Sequence, residues 1–267
     1  MRWRLRVAYD GRPFHGWQDQ PEVPTVQGTL RAALRRMNAG SDGRLIGTSR
    51  TDAGVHALGQ MAVFDAAIDR PAKAWFHGLN QALPDEISVR EVVRVADDFH
   101  PRRHTSGKTY HYHLWTHPWR NPLVLGRCAP VRVELDTLAM REAAGVLIGE
   151  HDFSAFRAAG CDALSPVKTI DGIELAWRED GRLRIEVRGS GFLKYMVRIL
   201  VGTLVEVGRG RLSAADVSAI LGGRDRRRAG PTMPPEGLVL VEVHLPTVGE
   251  LVTAERWPVE ASGRLLP

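Results

Sequence analysis

The stretch Gly47-Thr48-Ser49-Arg50-Thr51-Asp52-Ala53-Gly54-Val55-His56-Ala57 stands apart from the rest of the chain. It is polar, contains glycine, and lies between a helical and a strand-like segment, so it reads as a loop positioned by rigid elements. Arg50 precedes Asp52 by two residues. A nearby guanidinium favours the ionised form of a carboxylate, and an ionised carboxylate can take a proton or attack as a nucleophile. From the residues alone the reading stops at a loop bearing an Asp and an Arg. A surface turn with a solvated ion pair is the plainer alternative.

Regular elements must hold that loop. In residues 2–9 Trp3, Leu5, Val7 and Tyr9 alternate with Arg2, Arg4 and Arg6, the pattern of a half-buried strand. Thr25 is placed to cap a helix whose apolar positions are Val26, Leu30, Ala33, Leu34 and Met37. Met61–Phe64 predicts a short strand, Pro71 opens a helix with Trp75, Phe76, Leu79 and Leu83 on its apolar side, and Ile87–Val95 is rich in β-branched residues. The run Asp97-Asp98-Phe99-His100-Pro101-Arg102-Arg103 interrupts regular structure and marks the expected domain boundary. Beyond it come a strand over Thr109–Trp115 and a helix capped by Asp136. Two paired strands, Val167–Trp177 and Leu183–Val187, surround the turn at 179–182. Phe192–Val207 predicts one long apolar helix carrying Lys194 and Arg198 a turn apart, and Ser213 with Asp216 predicts a capping box. A strand over Gly237–Leu245 follows. The expected organisation is α+β: an N-terminal domain over 1–100 carrying the Asp52 loop, a second over 101–246 that loosely repeats the first, and a weakly patterned tail over 247–267.

The chain has 267 residues, 43% hydrophobic and 25% charged, as in ordinary globular proteins. Its net charge of +5 rests on an arginine surplus, which suits a polyanionic partner such as nucleic acid. Arginine richness also accompanies GC-rich coding, so charge alone leaves the partner open. His111 and His113 share one strand face, with His104 and His117 nearby, but no Cys or carboxylate pattern supports them. A solvated or nucleic-acid-facing surface is favoured there, and no metal is expected. Arg102, Arg103, Lys108 and Arg226 to Arg228 are candidates for phosphate contact. Cys128 and Cys161 lack metal-ligand spacing, no run approaches a membrane span, and the N-terminus lacks the apolar core of a secretory signal. A cytoplasmic protein is expected.

The run Arg50-Thr51-Asp52-Ala53-Gly54-Val55-His56 resembles the active-site signature of the TruA family of tRNA pseudouridine synthases. Tyr9-Asp10-Gly11, Phe14-His15-Gly16-Trp17-Gln18 and Val26-Gln27 resemble its N-terminal landmarks. Asp98-Phe99-His100 with Arg102, Tyr110-His111-Tyr112 and Gly149-Glu150-His151-Asp152-Phe153 with Phe156-Arg157 follow in order. Met196-Val197-Arg198 with Val201-Gly202, then Ala229-Gly230-Pro231-Thr232 with Gly237-Leu238, complete the series from about Tyr9 to about Leu245. Two departures stand out: Ser49 occupies a position where glycine is frequent, and Lys194-Tyr195 replaces a pair of histidines or a tyrosine and a histidine.

The resemblance implies two α+β halves of similar topology, each a mixed or antiparallel sheet with helices packed on it, and a basic cleft between them. It implies an isomerase that converts uridine to pseudouridine at positions 38, 39 and 40 of the tRNA anticodon arm, without metal or cofactor, as a homodimer. Asp52 would be the catalytic carboxylate, and Tyr110 would lie against the target base. Arg198 would pair with Asp52, and Arg50 would help displace the base. The same fold used as a non-catalytic RNA-binding or tRNA-folding protein is the alternative.

Overall fold

The alternation in residues 2–9 builds strand β1 (Arg2–Tyr9), with Trp3, Leu5, Val7 and Tyr9 buried. The structure, a computed structural model, describes residues 1–246 and 252–258. After β1 come helix α1 (Val26–Met37), strands β2 (Ile46–Gly47) and β3 (His56–Asp65), helix α2 (Ala72–Ala82) and strand β4 (Ile87–Val95). Strand β1 pairs antiparallel with β3 on one side and β4 on the other, and β2 pairs with β3. The Thr25 hydroxyl caps α1 by accepting the Gly28 N–H at 3.2 Å. Helix α2 buries Trp75 and Leu79, and Trp75 meets Phe64 edge-to-face at 5.0 Å.

Strand β3 is longer than the expected Met61–Phe64, because its N-terminal part, which includes small and polar residues, is also paired to β1 down to Ala57. Backbone pairing to an apolar neighbour extends a strand past the end of its own apolar run.

The second stretch holds β5 (Gly107–Trp115), β6 (Ala129–Pro130), α3 (Thr137–Val146), β7 (Gly149–Asp152), β8 (Val167–Trp177), β9 (Arg182–Gly189), α4 (Met196–Gly208) and α5 (Ala214–Gly223). Strands β5, β9, β8 and β7 lie in that order, each antiparallel to the next, and β6 runs parallel to the end of β5. Helix α4 is buried along nearly its whole length. The capping box at Ser213 and Asp216 forms at the start of α5. Strand β10 (Leu238–His244) follows, then β11 (Val252–Trp257).

Packing divides the chain into two compact α+β units: Met1–Ser106 with the described residues from Glu242 onward, and Gly107–Val241. Two local expectations are corrected. Helix α4 starts at Met196 instead of Phe192, because Tyr195 adopts a left-handed conformation (φ 62°) that no right-handed helix contains. Lys194 therefore lies outside the helix and does not share a helical face with Arg198. The unpatterned tail also contains a strand. Residues 247–251 and 259–267 lie outside the described residues, but β11 pairs antiparallel with the edge of β4. Glu91 on β4 bonds both Arg4 (2.8 Å) and Arg256 (2.9 Å), and Glu255 accepts the Ala72 N–H at the start of α2 (2.8 Å). An open sheet edge and an uncapped helix end recruit this segment, and neither requires an apolar pattern.

Candidate active site

Asp52 sits on the connection between β2 and β3, half-exposed, between the buried side chains of Thr51 and Val55. The loop closes in a tight turn: the Val55 N–H donates to the Asp52 carbonyl at 3.1 Å, and Gly54 takes φ +78°. Its N-terminal side is held by Gln60 on β3. The Gln60 amide donates to the Ser49 carbonyl (2.8 Å) while its oxygen accepts the Ser49 N–H (3.3 Å), and Gln60 is fully buried. The Thr48 N–H reaches the Met61 carbonyl at 2.9 Å. The Ser49 hydroxyl is buried and has no hydrogen-bond partner among the described residues. A lost partner for such a group costs about 1–3 kcal/mol, so the side chain at this position brings a penalty that glycine would avoid.

A second layer supports the loop from β1 and the segment after it. The Tyr9 and Thr51 hydroxyls share a buried hydrogen bond of 2.7 Å. The Trp17 N–H donates to the Thr51 carbonyl (3.1 Å), and the Gly54 N–H to the Phe14 carbonyl (3.3 Å). These approaches need residues without side chains. A Cβ on Gly11 would lie 2.0 Å from the Val55 oxygen. One on Gly16, at φ +89°, would lie 2.6 Å from the Thr51 oxygen. Beside them, the His56 ring nitrogen Nδ1 accepts the Gly11 N–H at 3.1 Å and lies 3.3 Å from the Asp10 carboxylate. Burial raises the Asp10 carboxyl, but the Arg12 side-chain and backbone hydrogen bonds outweigh it and leave Asp10 below the usual carboxylate range.

Arg50 is exposed on the same loop as Asp52. Next to that loop runs the turn over residues 99–104. The Thr48 hydroxyl donates to the Pro101 carbonyl (3.3 Å), and Arg102 Nε donates to the Gly47 carbonyl (3.2 Å). Within the turn, His100 Nδ1 accepts the Arg102 N–H and His104 Nδ1 accepts the His100 N–H, each at 3.2 Å. Burial and then the charge of Arg50 lower the Arg102 guanidinium from its ordinary value, although it remains a cation. The two like charges oppose each other electrostatically.

The other two candidates lie in the second unit. Tyr110 is on β5, on the same face as Tyr112 and Leu114, only 7% exposed, with Phe192 edge-to-face at 5.2 Å. Arg198 emerges from the first turn of α4. Its Nε donates to the Met233 carbonyl at 2.6 Å, and its guanidinium carbon lies 4.6 Å from the centre of the Tyr195 ring. The carbonyl reaches it because the segment after Arg228 runs against α4. A Cβ on Gly202 would lie 1.9 Å from the Pro231 oxygen, and the Gly230 N–H donates to the Thr203 hydroxyl at 2.9 Å. The left-handed backbone of Tyr195 costs roughly 1–2 kcal/mol relative to a right-handed one.

Sequence reading missed Tyr9, Gln60 and Gly16 as supports of the loop, and Tyr195 and Met233 as holders of Arg198. Tyr9 and Gly16 occur in the N-terminal landmarks, but each looks like an ordinary strand or turn residue until its partner across the chain is known. Arg226 also donates internally to the Gly230 carbonyl (3.0 Å) and the Thr232 hydroxyl (3.1 Å), which leaves it fewer donors for a phosphate. His111 bonds Glu186 at 2.9 Å, and among the described residues no three His, Cys, Asp or Glu side chains gather as a metal-holding group. Among the same residues no helix is long and apolar enough to cross a membrane.

A family model described as tRNA pseudouridine synthase matches residues 6–102 and 143–246, in both units. Proteins named tRNA pseudouridine synthase A are similar over most of the chain. The one from Neisseria gonorrhoeae is 46% identical over 247 residues, 92% of this chain and 92% of its own. That of Chromobacterium violaceum is 45% identical over 92% of this chain and 94% of its own, and that of Myxococcus xanthus 46% identical over 91% of each. With so much of both sequences aligned at this identity, the chain belongs to the tRNA pseudouridine synthase family, an isomerase family.

Proposed function

We propose that this protein isomerises uridine to pseudouridine in the anticodon stem-loop of tRNA, at positions 38, 39 and 40, with Asp52 as the catalytic carboxylate. The observation that carries this reading is the setting of Asp52: a half-exposed carboxylate on a loop whose neighbours are pinned by buried hydrogen bonds to Gln60, Tyr9 and Trp17. A reacting group held this way loses little freedom on meeting its substrate. The reaction breaks the bond from uracil N1 to ribose C1′, rotates the base, joins C5 to C1′, and removes the proton from C5 while N1 gains one. Asp52 serves it by attacking C1′ or by taking a proton from the ribose. Substrate and product are isomers, so the atoms and electrons balance without an oxidant, reductant or cofactor.

Arg50, Tyr110 and Arg198 contact the substrate in this reading. Arg50 is exposed beside Asp52 and suits a role at the flipped nucleotide. Tyr110, largely buried on β5, meets the flipped base. Arg198, fixed by Met233, supplies a positive charge that keeps Asp52 ionised. The protein acts in the cytoplasm as a homodimer. Exposed Trp119, Leu123 and Leu125, within one short stretch, offer apolar surface for a second copy.

Pseudouridine mapping at single-nucleotide resolution tests the reading, using unmodified tRNA transcripts with wild type and Asp52→Asn, and no added metal or cofactor. Conversion at 38 to 40 by wild type, lost in Asp52→Asn while tRNA binding survives, is the expected result. Binding without conversion by wild type would leave a non-catalytic RNA-binding protein instead.

A further inference from the structure

The geometry points to Tyr195 as a positioning residue for Arg198: its ring holds the guanidinium in the orientation the reaction needs, and its left-handed backbone is retained for that purpose. This inference rests on Arg198 acting at the active site. Tyr195 immediately precedes α4 at φ 62° and ψ 6°, and its side chain makes no capping hydrogen bond to the helix. Glycine adopts this conformation at no steric cost, whereas a tyrosine is strained there. A strained aromatic residue persists where its side chain has work elsewhere.

That work is visible at the ring. The Arg198 guanidinium carbon lies 4.6 Å from the ring centre, and the Lys194 ammonium lies 5.6 Å from the same centre. Two contacts of different kinds act on Arg198: the Met233 carbonyl takes its Nε–H, and the Tyr195 ring lies beneath its guanidinium carbon. A ring this close to the guanidinium carbon attracts the cation and narrows the orientations open to its terminal nitrogens. The left-handed turn also makes the helix begin after Lys194, which leaves Lys194 exposed and bonded through its backbone to the Cys161 sulfur (3.5 Å) and to the Ala158 N–H (3.0 Å). Lys194 is thereby anchored by its main chain, and Arg198 is the cation that the ring orients.

Single-turnover pseudouridine formation on saturating tRNA transcript, with KM and thermal midpoint measured alongside, tests this with Tyr195→Phe, Tyr195→Leu and Tyr195→Gly. Tyr195→Phe keeps the ring and is expected within about 2-fold of wild type. Tyr195→Leu loses the ring face, and its rate constant is expected to fall about 10-fold with KM little changed, the equivalent of about 1.4 kcal/mol at the barrier. Tyr195→Gly relieves the backbone, so it is expected to lose rate like the leucine variant without losing thermal stability, the opposite of what a purely structural residue would do. In an Arg198→Lys background the leucine change is expected to cost less than about 2-fold, since its effect runs through Arg198.

The inference is overturned if Tyr195→Leu turns over at the wild-type rate. It is equally overturned if the Tyr195 and Arg198 effects multiply, or if Tyr195→Gly loses rate only in proportion to lost folded protein. Should Tyr195→Leu not fold, Tyr195→Gly, alone and in the Arg198→Lys background, decides the matter. Inactive wild type would instead sink the proposed function itself.

Discussion

Gly16→Ala perturbs the Asp52 loop without touching any reactive side chain. Two effects combine at this position. Its φ of +89° lies where side-chain-bearing residues are strained, and the added Cβ would stand 2.6 Å from the Thr51 carbonyl oxygen. Ordinary van der Waals contact begins near 3.4 Å, so the Gly16 segment or the Thr51 backbone must retreat by about 0.8 Å, the difference of those distances. Thr51 adjoins Asp52 and is tied to Tyr9 and Trp17, so the displacement passes to the carboxylate. Misplacing a reacting group by about 1 Å costs up to about 100-fold in rate, so a fall between about 10- and 100-fold is expected. Gly40 provides the control. It has φ +80° but nothing within 4 Å of where a Cβ would lie, so Gly40→Ala suffers the backbone strain alone, about 1 kcal/mol. The assay is single-turnover conversion at saturating tRNA, with thermal midpoints for both variants. Gly40→Ala should lose some stability and no rate, and Gly16→Ala should lose both. Equal rates for the two variants would refute the idea that this close approach sets the position of Asp52.

Charge supplies two more tests. Arg102→Ala should raise KM, leave the rate constant nearly unchanged, and reduce the slope of log affinity against log salt by about 1, because one phosphate contact is lost; Arg102→Lys should keep the slope, and an unchanged slope in Arg102→Ala would place Arg102 away from the RNA. Burial, with the neighbouring Arg182, His111 and Arg184, pushes His113 down to about 3 from 6.5, and its Nδ1 is buried without a partner among the described residues. The folded state therefore binds fewer protons than the unfolded state between those values, and the stability tied to neutral His113 is present above about pH 6.5 and lost as pH falls toward 3. Between pH 7 and pH 5 the loss from this group is about 2 kcal/mol. In urea titrations His113→Phe should lose that much less than wild type over the same interval, and an equal loss would assign the acid sensitivity elsewhere.

Much of the fold was readable where the signal is local. The alternation of β1, the Thr25 cap of α1, the turn at 179–182 and the capping box at Ser213 depend on residues within a few positions of one another, and each formed. The Asp52 loop was legible as a loop for the same reason, since its polar residues and glycines lie between recognisable elements. Its resemblance to a known signature was also carried by contiguous residues, and the relationship to the family followed from the order of such short segments.

What the sequence by itself determined about this protein was therefore its family, its α+β class, and the identity of the candidate carboxylate. Tertiary structure alone decided where α4 begins, since the left-handed turn at Tyr195 is stabilised by contacts that include Arg198 and not by any helix-breaking residue. It decided that Val252–Trp257 becomes a strand, because the pairing edge of β4 and the charge of Glu91 lie about 160 residues earlier in the chain. It also decided what makes the Asp52 loop rigid. Gln60, Tyr9 and Gly16 act on that loop through hydrogen bonds and close backbone approach, interactions that exist only once segments distant in sequence are folded together.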